Sequence, residues 1–366
     1  MRQKLLAGLT ATVLLLSGCA QLLNRDYLHT APHNTTPTAE GDPSVLRAEN
    51  YQELVNALVY FVSQGAETGS IRLYVDAEDV DASLAAACLE VVQEDPLGAY
   101  AVEHIKYSVD PVVTYYQAEV EITFCRTREQ IASVVLATGT TAIRGELESA
   151  LAAFLPERVL RISYFHEDEE FIRTLCREAY YANPATALGL PEVAVAIYPE
   201  SGRQRIVEIS LAYPLDMQEL TRRYELLALA CADLIRSLPP ASGDQLIISV
   251  GQSILSAGAH SETGGSTAYH ALLSGGADSQ GLALTMALIC QRLTIDCRVV
   301  QGTLNEQPHF WNVLPTQGGW MHLDLSQLEG WDAPFHPDDT MTQLGYVWDA
   351  ATMPQDAALP SGEVMD

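Results

Sequence analysis

A hydroxyl, an imidazole and a carboxylate follow one another in the C-terminal third of the chain, at Ser279, His309 and Asp324. His309 lies 30 residues after Ser279, and Asp324 follows His309 closely. In this order the three groups match a nucleophile, a general base and a carboxylate that orients the base. Residues of these types could act together as a Ser-His-Asp triad if the fold brings them to one place.

The elements around these residues can also be predicted from the sequence. Apolar periodicity predicts a helix over Leu282 to Leu293, just after Ser279, and a strand over Cys297 to Gly302. His309 to Val313 and Trp320 to Leu325 are predicted strands, separated by a turn at residues 317–319. A helix N-terminus lowers the pKa of a thiol placed there, and neighbouring strands can deliver a base and its carboxylate.

Three short motifs carry a family resemblance. Gln280-Gly281-Leu282-Ala283, His309-Phe310-Trp311-Asn312 and Trp320 with Asp324 resemble, in order and spacing, the transglutaminase-like domains of papain-like fold. The resemblance covers roughly Glu219 to Pro354. It implies acyl transfer or amide hydrolysis by a thiolate, with His309 as base and Asp324 as its orienting acid. It also makes Gln280 and Trp311 candidates for the substrate groove, although an aromatic side chain such as Trp311 is more often a core residue.

Ser279 occupies the position of the cysteine nucleophile in this resemblance. A serine hydroxyl is a far weaker acid than a thiol and cannot rest as an ion pair with His309. Asp278 adds a negative charge beside it. Serine is also a preferred helix N-cap, so Ser279 is expected to cap the helix without taking part in chemistry. The sequence thus favours a pseudoenzyme, with an active Ser279–His309–Asp324 triad as the alternative.

A zinc site is an alternative interpretation of these residues. His322 and Asp324 are two residues apart on one predicted strand and therefore face the same side, with His309 on the neighbouring strand. Transglutaminase-like domains often have a polar residue at the position of His322 and bind no metal there. We expect neither a metal nor a cofactor.

The N-terminus has the pattern of a secretion signal. Arg2 and Lys4 precede an apolar run from Leu5 to Leu16 that is too short to span a bilayer. Leu16-Ser17-Gly18-Cys19 resembles a bacterial lipobox, which implies diacylation of Cys19, for example with palmitate. Residues 1–18 are thus a predicted lipoprotein signal peptide, and residues 19–48 a lipidated cysteine followed by a disordered tether. The expected location is the extracytoplasmic face of the cytoplasmic membrane, a lipid-anchored position.

The formal net charge of −27 limits the kinds of molecule that the protein can bind. So acidic a chain is repelled by nucleic acid, and it has no basic stripe or zinc-finger spacing, so nucleic-acid binding is excluded. Six cysteines follow Cys19, of which Cys290 and Cys297 are the nearest pair in sequence. A disulfide is permitted outside the cell, but buried free thiols are the expected state.

The first half of the chain contains a repeat. Strand-like runs at Ser70–Val75 and Val159–Phe165 are each followed by a helical run with a cysteine eight residues before a proline. Helices over Tyr51–Val62 and Ile143–Leu155 open the two copies. The predicted fold is α+β, with two tandem small α+β modules at residues 49–136 and 137–218. A transglutaminase-like domain follows at residues 219–354, and a flexible tail at residues 355–366.

Three functions remain open from the sequence. The first is a membrane-anchored lipoprotein whose degenerate domain binds a protein, a peptide or cell-wall material. The second is an active acyl-transfer or peptidase enzyme, and the third is a structural spacer in an envelope assembly.

Overall fold

The structure is a computed structural model of a mixed α+β protein. It describes residues 37–40, 42–74 and 80–350. Cys19, the predicted signal peptide and the predicted tail lie outside the described residues. The chain divides into two compact units. The described residues of 37–139, with 161–165 and 198–206, form the first unit, and residues 140–160, 166–197 and 207–350 form the second.

The first unit contains a sheet and helices that pack on it. Its elements are β1 (Thr38–Glu40), β2 (Asp42–Ala48), α1 (Tyr51–Gln64), β3 (Thr68–Leu73), α2 (Val80–Gln93), α3 (Pro96–Ala101), β4 (Val102–Val112), β5 (Tyr115–Phe124), α4 (Arg128–Ala132) and β6 (Val135–Ala137). The sheet has the order β1-β2-β3-β5-β4, in which β2 and β3 are parallel and the β4–β5 hairpin is antiparallel. Asn50 caps α1 by accepting a hydrogen bond from the backbone N–H of Glu53.

The start of the first unit corrects one prediction. The tether was expected to be disordered as far as residue 48, yet β2 is a sheet strand paired with β3. Leu46 is 1% exposed and Ala48 is fully buried, so apolar burial orders this end of the predicted tether.

The second unit begins with helices and strands between residues 140 and 212. They are α5 (Thr140–Ala152), β7 (Glu157–Ile162), α6 (Glu169–Ala182), β8 (Glu192–Tyr198) and β9 (Arg205–Ala212). Strand β9 lies between β7 and β8, and α5 packs against α6. The ends of β7, β8 and β9 within residues 161–165 and 198–206 belong to the first unit. The division into modules at residues 136 and 218 stays a prediction.

The rest of the second unit surrounds one buried helix. Its elements are α7 (Met217–Ser237), α8 (Asp244–Ala257), β10 (Ala259–Gly265), α9 (Ala268–Leu273), β11 (Gly276–Ala277), α10 (Ser279–Arg292), β12 (Arg298–Leu304), β13 (Gln307–Thr316), β14 (Gly319–Leu323), a 3-10 turn (Leu328–Gly330), α11 (Asp338–Gln343) and β15 (Tyr346–Trp348). Residues 281–290 of α10 are all buried, because α8, α9 and β13 contact it. The sheet has the order β14-β13-β12-β15.

The structure confirms which segments around the candidate residues are helices and which are strands. The predicted helix over Leu282 to Leu293 is α10, and the predicted strands are β12, β13 and β14. Helical and strand assignments in both predicted modules are confirmed in the same way by α1, α2, α5, α6, β3 and β7. Among the described residues, no helix combines the length and the apolar character needed to cross a membrane.

Candidate active site

Ser279 is the first residue of α10, and Asp278 is its N-cap. The Asp278 carboxylate accepts a hydrogen bond from the Gly281 N–H at 2.9 Å and another from the Ser266 hydroxyl. The prediction that Ser279 caps the helix is therefore wrong. A carboxylate interacts more favourably than a hydroxyl with the positive end of the helix dipole, so the preceding aspartate takes this place. The Ser279 hydroxyl is left free for another role.

The turn that leads into α10 requires small residues. A side chain at Gly281 would place its first carbon 2.6 Å from the Gly265 carbonyl oxygen and 2.8 Å from the Ala277 methyl group. Both distances are shorter than any normal contact, so the backbone approaches here only because residue 281 is glycine. This close approach fixes the position of Ser279 at the start of the helix.

The Ser279 hydroxyl points toward the sheet. Its oxygen accepts a hydrogen bond from the Phe310 N–H at 3.3 Å, next to His309 on β13. Within the described part of the chain, no hydrogen bond joins this hydroxyl to His309. Ser279 and His309 thus lie close together, but no hydrogen bond joins their side chains.

His309 and Asp324 form a buried pair. His309 Nε2 lies 2.6 Å from Asp324 Oδ2, and the two side chains are 11% and 1% exposed. Because the carboxylate accepts, Nε2 carries the proton, and in the neutral ring Nδ1 keeps its lone pair. The ring stacks on Trp311 at 6.2 Å between centroids and meets the edge of Tyr346 at 5.8 Å. The imidazole is therefore held in one orientation and one tautomer.

Asp324 is held by more than the histidine. The Tyr346 hydroxyl donates to Oδ2 at 2.7 Å, and Oδ1 accepts from the Ser326 N–H at 2.9 Å and from the Ser326 hydroxyl at 2.7 Å. Burial, and then the charge of Asp324, raises the pKa of Tyr346 above its ordinary range, so the phenol stays a donor.

Sequence reasoning missed these two supporting residues. Ser326 could have been found as the second residue after an aspartate, where it closes a local turn. Tyr346 gave no such signal.

The structure decides between the two roles predicted for Trp311. Its side chain is 1% exposed and packs against Tyr346 and Trp348, so it belongs to the core and is not a wall of a substrate groove. Its indole N–H donates to His322 Nδ1 at 2.8 Å, and His322 Nε2 lies 2.9 Å from Asp338 Oδ1. The other groove candidate, Gln280, is half-buried, and its amide donates to the Ser266 carbonyl at 3.2 Å.

The three residues of the zinc alternative do not converge. The nitrogens of His322 are engaged by Trp311 and Asp338, while His309 faces Asp324. Among the described residues, no group of three or more His, Cys, Asp and Glu side chains is arranged to hold a metal ion.

The buried His322 predicts a dependence of stability on pH. Burial lowers the pKa of His322 below its ordinary value, although Asp338 opposes the shift. The unfolded chain then binds a proton more readily than the folded one. The contribution of neutral His322 is therefore present above pH of about 6.5 and is lost as the pH falls through the lower folded-state pKa.

We expect the free energy of unfolding of the wild type to fall more steeply below pH of about 6.5 than that of His322→Asn. An asparagine oxygen can still accept from the Trp311 indole but cannot titrate. His166→Gln, at an exposed position, is the matched control. Parallel pH profiles of wild type and His322→Asn in urea titrations would contradict the prediction.

Comparison with known proteins places the three candidate residues inside one family match. Residues 251–325 match the model of the Transglutaminase-like superfamily, a range that includes Ser279, His309 and Asp324. No curated protein matches the sequence.

Two solved structures are similar to the chain. A "TGase" has 10% identity and a TM-score of 0.26, over 69% of this chain and 72% of that one. A putative protease from Parabacteroides distasonis has 8% identity and a TM-score of 0.21, over 74% of this chain and 45% of that one.

Proposed function

We propose, starting from the transglutaminase-like domain that this chain contains, that the protein is a lipid-anchored extracytoplasmic lipoprotein with a degenerate site. Its domain binds protein, peptide or cell-wall material and does not transfer acyl groups. One observation carries this proposal. The hydroxyl of Ser279, which the family resemblance assigns to the nucleophile position, accepts a hydrogen bond from the Phe310 N–H and, among the described residues, makes no hydrogen bond to His309.

The chemistry of serine supports the loss of acyl transfer. A thiol with a pKa of about 8.5 can ionise next to a histidine and a helix N-terminus, whereas a hydroxyl must be deprotonated during attack. That deprotonation requires the base to be within hydrogen-bond reach of the hydroxyl during the attack. The hydroxyl of Ser279 is a partner of the backbone instead.

The charge next to Ser279 acts in the same direction. Asp278 is half-buried, and its partners are the Ser266 hydroxyl and the Gly281 N–H, both uncharged. Its negative charge next to Ser279 disfavours a second negative charge on an attacking oxygen. An active serine enzyme would be expected to stabilise that charge.

The retained His309–Asp324 pair does not require catalysis to explain it. Removing one partner of a buried, hydrogen-bonded pair leaves the other unsatisfied, which is costly in stability. Asp324 also joins β15 to the segment after β14 through Tyr346 and Ser326. The pair therefore has a structural reason to persist after the thiol is gone.

A serine-based acyl transferase or peptidase is the second candidate. It is favoured by the tautomer of His309, because the bond from Nε2 to Asp324 leaves the Nδ1 lone pair able to accept a proton. Movement of the Ser279 side chain from Phe310 to His309 would complete this triad.

The two candidates differ in whether a covalent adduct forms. A soluble form beginning at Asn24 is incubated with glutamine-containing peptides and with wall peptides, and its intact mass and its binding heat are measured. We expect saturable binding of one peptide class and no acyl adduct. An adduct that disappears in His309→Ala would establish the serine enzyme and overturn the proposal. If the protein shows no binding and forms no adduct, the result would favour a spacer role.

The lipid anchor gives a separate prediction. In cells making the full chain, we expect the wild type in the membrane fraction and Cys19→Ser in the soluble fraction, because two acyl chains give stable anchoring. Cys125→Ser, at an exposed cysteine of the folded part, should stay with the membrane. Retention of Cys19→Ser in the membrane fraction would rule out anchoring through this residue.

A further inference from the structure

Two cysteine side chains meet at the far end of the helix that begins with Ser279. Cys290 lies in the last turn of α10 and is fully buried, and Cys297 directly precedes β12. The Cys297 thiol lies near enough to Cys290 and to the side chain of Asn312 for both residues to shift its pKa. Both cysteines are free thiols in this structure. The two cysteines are therefore neighbours in the fold and carry no covalent bond in this structure.

The end of α10 explains this contact. The Thr294 N–H donates to the Gln291 carbonyl at 3.2 Å, and the Ile295 N–H donates to the Cys290 carbonyl at 2.9 Å. These two bonds form a Schellman motif, which reverses the chain directly after the helix and returns Cys297 to Cys290. The motif needs a residue with positive φ, and Thr294 supplies it with a φ of 61°. A β-branched residue rarely adopts this conformation, so the surrounding structure must hold the turn.

We propose that Cys290 and Cys297 are joined by a disulfide in the mature protein. This proposal rests on the extracytoplasmic location proposed above, where disulfides persist. The oxidant is a protein or low-molecular-weight disulfide. One cysteine attacks it as the thiolate to form a mixed disulfide, and the second cysteine displaces the remaining thiol. The two cysteines lose two electrons and two protons, and the oxidant becomes two thiols.

The timing of the bond follows from burial. Burial raises the pKa of Cys297 well above its ordinary value, so its thiolate is scarce in the folded protein. The bond is therefore made while the chain folds, before α10 is covered. Once made, it attaches the end of α10 to β12, and β12 pairs with β13, where Gly302 lies opposite His309. The bond thus joins the helix of Ser279 to the sheet of His309.

The test uses a cleavage site between the two cysteines. The full chain is isolated from membranes with its free thiols blocked at lysis, and is then digested with trypsin without reduction. Trypsin cuts after Arg292, which separates Cys290 from Cys297. We expect the peptides 237–292 and 293–298 to be recovered as one linked species that separates on reduction. The same species should form when reduced protein is refolded with oxidised glutathione.

Two variants and three outcomes decide the matter. Cys297→Ser should lose the linked species, and Cys125→Ser, the matched control, should keep it. Blocked thiols at both Cys290 and Cys297 in membrane-derived and refolded protein, or linkage of either to another cysteine, would overturn the proposal. Linkage after refolding but not in membrane-derived protein would overturn the disulfide in the mature protein and the extracytoplasmic location.

Discussion

Ser279→Cys is expected to create a thiol that reacts with iodoacetamide at pH of about 6.5 at least about tenfold faster than Cys125. The new thiol would lie at the first residue of α10, next to the Phe310 N–H and close to His309. A helix N-terminus and a neighbouring imidazolium both stabilise a thiolate, and we expect their combined effect to exceed the repulsion from the Asp278 carboxylate. The thiolate is the reactive form, so its rate of alkylation reports this stabilisation.

The other cysteines leave a clear background for this measurement. Burial raises the pKa of Cys88 and Cys231 to about 11 and that of Cys176 to about 12. These thiols are therefore protonated in the assay, and exposed Cys125 serves as an internal reference. Adding His309→Ala to Ser279→Cys should return the rate toward that of Cys125. Equal rates with and without His309 would show that the imidazole does not act on residue 279.

A reactive Ser279→Cys variant would trace the proposed loss of acyl transfer to one atom. If it also forms an adduct with a glutamine-containing peptide while the wild type only binds the same peptide, the site is complete except for its sulfur. That result would support the binding proposal. It would also show that the Phe310 N–H and the orientation of His309 have been preserved for another reason.

Asp324→Ala is expected to lower the free energy of unfolding by about 3 to 5 kcal/mol. Asp324 is 1% exposed and accepts hydrogen bonds from His309, Tyr346 and Ser326. Its removal leaves a buried imidazole and a buried phenol without this acceptor. Urea denaturation followed by fluorescence of the four tryptophans measures the loss.

A second histidine–aspartate pair offers the matched control. Asp338 lies 2.9 Å from His322, but its side chain is 69% exposed. Asp338→Ala should therefore cost less than about 1 kcal/mol, because water can replace an exposed partner. A comparable loss in both variants would mean that burial of Asp324 is not the source of its contribution.

The sequence could predict the elements that carry the site because their signals are local. The apolar run after Ser279 is α10, and the glycine turn at residues 317–319 separates β13 from β14. The order of the three motifs also predicted that Ser279, His309 and Asp324 lie close together in the fold.

The remaining details depend on contacts between distant residues. Asp278 and Ser279 are both good helix caps. The Ser266 hydroxyl, 12 residues earlier in the chain, donates to the Asp278 carboxylate and so favours Asp278 as the cap of α10. Trp311 is buried because Tyr346 and Trp348 cover it, and both belong to a strand that no local pattern joins to β13. The disordered tether was extended too far because two apolar residues, Leu46 and Ala48, gave too weak a local signal for β2.

The pairing of β15 with β12 determines how far toward the C-terminus a fragment must extend to keep this site intact. The family match ends at residue 325, but the phenol that donates to Asp324 comes from residue 346. Pairing of Gly302 with Trp348 and of Leu304 with Tyr346 brings it there. A gene fragment that stops at the end of the family match would encode the histidine and the carboxylate without this third partner. A fragment that keeps this site intact therefore runs at least to Trp348.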